Sequence, residues 1–221
     1  MASARRLQES LENLAEVDPV FTTWKETVHS APEDAELVST GVEALAERVE
    51  SGDTGTDGLG YVVSFWSGSI DGQAVSMRIV CGAENISTGP NSLVLQLPKQ
   101  RAWLKSDSGR KKCRQVMEVV AKAWKPEWGT AITMEMNRKL EDMNLRHREP
   151  LCGWMLYLDS VRSDVPEIPE AYEIVRDFAG GTLLITSPAP LWASNEEDVA
   201  KVKELHTKLR DAGVMIPTGR A

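Results

Sequence analysis

At 221 residues with 42% hydrophobic side chains, the chain has enough apolar material for a packed core, which excludes a disordered polypeptide. No apolar run reaches the length of a membrane span, and two arginines near the start are not followed by the apolar stretch of a signal peptide. The three cysteines are odd in number and widely spaced, so they predict neither a disulfide framework nor a zinc site, and the expected compartment is the cytoplasm.

The net charge of −8 is unevenly spread. Residues 9–57 hold thirteen acidic and two basic side chains; residues 99–125 hold two acidic and nine basic; residues 157–177 hold six acidic and two basic. Solvated helix faces account for such runs in many proteins. An acidic surface that attracts a basic partner is the sharper reading.

Residues 4–17 carry Leu7, Leu11 and Leu14 at helical spacing, and Asp18-Pro19 ends that helix. Phe21 and Trp24 follow and are expected in the core. Pro32, Glu33 and Asp34 open a second predicted helix, whose apolar stripe is Leu37, Val38, Val42, Leu45 and Val49. Three strands come next, over 59–66, 74–81 and 91–97. Asp71-Gly72 is a favoured hairpin turn between the first two. Alternation places Val63, Phe65, Met77 and Ile79 on a buried face, with Ser64, Trp66, Arg78 and Gln96 on a more open one.

A third helix follows, capped from Ser106, Asp107 or Ser108, with Cys113, Val116, Met117, Val120 and Trp124 on its apolar stripe. Arg110, Lys111, Lys112 and Arg114 crowd its positive end, which predicts a nearby acidic surface, such as the acidic N-terminal half of the chain, or a tolerated local cost. Further strands are expected at 130–134, 151–158 and 182–187. Residues 135–149 read as a loop or short helix, and 159–178 as an acidic surface connection. Ser194 to Glu197 reads as a capping box for a last helix with Val199, Val202, Leu205 and Leu209, stopped at Gly213. The expected fold is α+β: a mostly antiparallel sheet of about six strands, packed by N-terminal, middle and C-terminal helices. One domain over 1–221 is the simplest division, and two small ones are the alternative.

Catalytic signals are missing from this pattern. There is no phosphate loop; Gly180-Gly181 precedes a strand, where a phosphate loop would follow one. Ser67-Gly68-Ser69 is not a nucleophile elbow. His29, His147 and His206 stand apart, so no catalytic residue, metal or cofactor is assigned. The basic stretch 99–125 lacks a nucleic-acid motif and sits in an acidic chain. Among the seven tryptophans, Trp66 and Trp192 are best placed to reach a partner.

The order of several short motifs resembles the immunity protein 52 family of bacterial polymorphic toxin systems. The matching pieces are DPVFTTW at 18–24, NSLVLQLP at 91–98, AWKPEWG at 123–129, GWMLYL at 153–158, and GGTLLITS with the helix that follows it, over 180–213. The chain departs from the family pattern at its start, where a short aromatic strand usually precedes the first helix. The resemblance implies a non-enzymatic cytoplasmic protein encoded beside a toxin gene. Its partner would be a cognate toxin, usually a restriction-endonuclease-fold nuclease and often one delivered by type VI secretion, with no direct binding of nucleic acid or membrane. The family supplies no residue-level interface. The acidic pattern selects Glu33, Asp34, Glu36, Asp71, Asp159, Asp164 and Glu167 as expected toxin contacts, with Trp66 as an aromatic anchor. Two other readings stand beside this one: an enzyme with a site assembled from distant residues, and a nucleic-acid or regulatory module using the basic helix.

Overall fold

A computed structural model of the chain describes residues 1–26, 35–52, 60–68, 74–83, 91–97, 107–142, 149–162 and 164–218. The chain divides into two compact units, Met1–Trp103 and Leu104–Ala221. Among the described residues there are five α-helices and eight strands, the strands in two antiparallel sheets of four. The α+β class is as expected.

The first unit begins with α1 (Ala2–Val17), which buries Leu7, Leu11 and Leu14 together with Ala4 and Ser10. Asp18 is extended, and its carboxylate accepts a 2.9 Å hydrogen bond from the Val20 amide, capping a short 3-10 turn at Pro19–Phe21. Phe21 and Trp24 stack with ring centroids 6.2 Å apart, both buried as expected. Strands β1 (Trp24–Glu26), β2 (Tyr61–Ser67), β3 (Val75–Cys81) and β4 (Ser92–Gln96) lie in that order in the sheet. Val63, Phe65, Val75, Met77, Ile79 and Cys81 form its buried face.

The second helix is shorter than the sequence predicts. It is α2 (Val42–Ser51), starting after Gly41, and it buries Leu45, Ala46 and Val49. Residues 36–38, expected inside that helix, run beside β1 instead. The Val38 amide donates to the Trp24 carbonyl at 2.9 Å, and the Glu26 amide donates to the Glu36 carbonyl at 3.1 Å. The open edge of a short strand supplies these backbone groups with partners, which outweighs the helical spacing of Leu37 and Val38. Leu37, expected in the core, is exposed. Gly52 closes α2 against β2: the Val62 amide donates to its carbonyl at 2.8 Å, and a side chain at Gly52 would meet the Val62 carbonyl.

The second unit contains α3 (Asp107–Trp124), β5 (Trp128–Ala131), α4 (Met134–Asp142), β6 (Met155–Leu158), β7 (Glu173–Phe178), β8 (Gly181–Ile185) and α5 (Glu196–Asp211). Its strand order is β5-β6-β8-β7. The central strands β6 and β8 are buried at every position, which is why they read as unbroken apolar runs. Leu156, Leu158 and Leu184 pack with Met136 and Leu140 of α4 and with Val202, Leu205 and Leu209 of α5. On the other face, Gly129 pairs with Tyr157, and Met117 of α3 approaches Gly129.

Two sequence expectations change here. The segment read as a surface connection contains β7, which pairs with β8 through a turn at Ala179-Gly180; both turn residues have positive φ. A register shift between Val175 and Phe178 breaks the alternation that would have marked the strand. The last helix is capped by Asn195, not Ser194: its side chain accepts from the Glu197 amide at 3.0 Å. Of the two readings for residues 135–149, loop or short helix, the helix is present as α4, whose Met136 and Leu140 are four apart and fully buried.

Candidate partner-binding surface

The more open face of the first sheet is built from three cross-strand rows. Leu37, Lys25, Trp66, Ser76 and Gln96 form one. Ser64, Arg78 and Val94 form the second, and Val62, Val80 and Ser92 the third. This is the face that period two predicts for Trp66, Ser64, Arg78 and Gln96, since the neighbours of the first three along β2 and β3 are buried. Trp66 is half-buried and fixed in place. Its indole N–H donates to the Glu26 carbonyl at 2.9 Å, and the Lys25 ammonium lies 4.8 Å from its ring centroid. Val94 and Leu37 are exposed on the same face, as is Arg78. No residue in these rows is acidic.

The expected acidic contacts are distributed differently. Glu33, Asp34 and Asp71 lie outside the described residues. Glu36 is exposed beside Leu37 in the first unit. Asp159, Asp164 and Glu167 lie in the second unit, on the connection from β6 to β7. Asp164 is exposed, and Glu167 pairs with Arg176 at 3.1 Å. Asp159 is committed to Arg162, whose side chain is fully buried. The Arg162 guanidinium donates to both Asp159 carboxylate oxygens at 3.3 Å, to Glu127 at 2.6 Å and to the Ile216 carbonyl at 3.1 Å. It thereby fastens the entry to β5, the exit from β6 and the C-terminal segment.

The basic start of α3 is neutralised within the second unit. Arg110 pairs with Asp107 at 3.1 Å, donates to the Pro188 carbonyl at 3.0 Å, and lies 5.0 Å from the Tyr172 ring centroid. Arg114 pairs with Glu173 at 3.1 Å and lies 5.8 Å from the Phe178 ring centroid. The acidic surface that this crowding predicts is therefore β7 and its approach. The nucleic-acid reading of the helix loses these two cations to internal partners.

One cluster escaped the sequence reading. Cys152 Sγ lies 3.8 Å from His206 Nδ1, and His206 Nε2 lies 3.6 Å from Glu149 Oε2. Arg210 donates to Glu149 at 2.8 Å and sits 2.7 Å from His206 Nε2. The composition resembles a cysteine nucleophile with its base and orienting carboxylate. Its environment opposes that chemistry. All three residues are buried, burial pushes the Cys152 thiol well above its ordinary range, and burial with the nearby Arg210 charge lowers the His206 imidazole. The arrangement acts as a polar fastening between residues 149–152 and α5. A small hollow between Ile168, Ala171, Thr186 and Leu205, rimmed by Glu170, Lys201, Glu204 and Lys208, holds about one water molecule. Among the described residues, no cluster of His, Cys, Asp and Glu is arranged to hold a metal, and none of the described helices is long and apolar enough to cross a membrane.

A family model described as Immunity protein 52 matches residues 1–218. The chain belongs to the immunity protein 52 family. Among curated proteins, none matches this chain. Membership makes it an immunity protein of a toxin–immunity system, whose partner is a cognate toxin. The family match spans both units.

Proposed function

We propose that this immunity protein neutralises its toxin by binding it directly in the cytoplasm, without catalysis of its own. The observation that carries the reading is the family match over residues 1–218. The two units act together as one immunity domain. The toxin is a restriction-endonuclease-fold nuclease delivered by type VI secretion, and binding blocks its active site or its access to DNA. The charge balance supports this choice: a DNA-cutting enzyme needs a positive surface for phosphates, and a chain of net charge −8 is attracted to it. Glu33, Asp34, Glu36, Asp71, Asp164 and Glu167 are the proposed acidic contacts, and Trp66 is the proposed anchor. Asp159 contributes through its place beside Arg162.

Co-expression with the product of the adjacent toxin gene tests the reading. Restored survival and a stable complex recovered through a tag on one partner are the expected results. Unchanged killing with no complex refutes it. Reversing the charges of Glu36, Asp164 and Glu167 together slows association and flattens its salt dependence if the acidic contacts are right.

A further inference from the structure

The open face of the first sheet has the wrong charge for the acidic-contact picture. The chain carries 33 acidic and 25 basic side chains, yet none of the acidic ones occupies the cross-strand rows described above. The charged groups there are Lys25 and Arg78. Lys25 is held over the Trp66 ring. Arg78 is exposed between Ser64 and Val94, and none of the ion pairs among the described residues includes it. Beside it, Val94 is 49% exposed, and Leu37 at the far end of the Trp66 row is 67% exposed. A guanidinium with no carboxylate partner among the described residues, beside the uncovered Val94 side chain, matches an interface centre more closely than an ordinary solvated face.

We infer that this face docks a carboxylate cluster on the toxin, with Arg78 taking the carboxylate and Val94 and the Trp66 edge packing around it. The inference rests on the toxin-binding reading and specifies one of its surfaces. The planar guanidinium fork donates two parallel hydrogen bonds to a carboxylate, and exclusion of water by the neighbouring apolar side chains strengthens them. The net charge of the chain narrows the partner further. A wholly acidic protein would be repelled at long range, so the carboxylates must sit within an otherwise basic surface. Carboxylates that hold a catalytic metal, surrounded by cations for phosphates, have that chemistry. Single-stranded nucleic acid also binds sheet faces bearing aromatic and basic side chains. It is disfavoured here because Lys25 already covers the Trp66 ring and the described cross-strand rows hold only two cations.

The test compares wild-type protein with Arg78→Glu, Val94→Asp and the control Lys122→Glu for binding to immobilised toxin from the adjacent gene. All three sites are exposed, and melting temperatures within about 2 °C of wild type verify folding. Arg78→Glu and Val94→Asp are each expected to weaken binding at least about tenfold and to reduce protection of cells, with the control unchanged. If wild type binds and protects while both variants stay within about threefold of it, the docking face is wrong and the toxin-binding reading stands. If wild type does not bind, both fall. A labelled single-stranded oligonucleotide is run in parallel at low salt; tight binding abolished by Arg78→Glu reassigns the face to nucleic acid and overturns the inference.

Discussion

Replacing Arg162 with alanine removes a fully buried cation and four side-chain hydrogen bonds, to Asp159, Glu127 and Ile216. Breaking a buried ion pair by deleting one partner costs about 3–5 kcal/mol when the other charge stays buried. Here the Asp159 and Glu127 side chains are 23% and 38% exposed and regain water, which puts the cost at the lower end, about 3 kcal/mol. For a chain of this size that corresponds to a melting point lower by about 6–12 °C. Arg162→Met refills much of the volume but leaves two carboxylates facing each other, so it should fall between wild type and Arg162→Ala. Urea unfolding of the three proteins, with Asp159→Asn made in wild-type and Arg162→Ala backgrounds, measures both cost and coupling. A loss under about 1 kcal/mol for Arg162→Ala, with additive effects of the two changes, would refute the fastening role. The result also decides how Asp159 variants are read. If Asp159 belongs to the fastening, Asp159→Asn loses stability before it loses any toxin contact.

Other consequences follow from burial and backbone packing. The His206 imidazole is lowered by burial, so the folded protein holds it neutral where the unfolded chain takes up a proton. Its contribution to stability is present above about pH 6.5 and is lost as the pH falls below that; His206→Gln should flatten the urea-midpoint profile between pH 5 and 7, and an unchanged profile contradicts this. The thiols of Cys113 and Cys152 are buried and raised, Cys113 to about 12, so both should resist a thiol reagent at pH 8 until the chain is unfolded; rapid native labelling of either would contradict this burial. Gly181 starts β8 where any side chain would meet the Leu158 carbonyl, so Gly181→Ala should destabilise by about 2–3 kcal/mol, whereas Gly129→Ala, in ordinary contact with Met117, should cost well under half of that in the same urea assay.

Local periodicity carried much of the fold. Leu7, Leu11 and Leu14, the faces of β2 and β3, and the stripe of α5 were legible because neighbours in sequence share a burial environment. Pairing between distant segments was not. Residues 36–38 lie along β1 because its edge offers hydrogen-bond partners, and nothing local distinguishes that from helix. The division into two four-stranded sheets, where one of about six strands was expected, has the same origin: β1 and β7 are short or irregular and are defined by the strands beside them. Trp66 could be assigned to the open face from alternation alone. The absence of acidic groups around it became visible only once the cross-strand register placed Lys25, Arg78 and Val94 together. The Cys152–His206–Glu149 cluster joins residues more than fifty positions apart, and no spacing in the sequence announces it.

Titrating purified toxin from the adjacent gene with this protein, while plasmid cleavage is followed, measures neutralisation itself. Direct binding predicts that cleavage falls to background near one equivalent and that the two proteins elute together on gel filtration. Full cleavage at about tenfold excess, with the two proteins eluting apart, would contradict it.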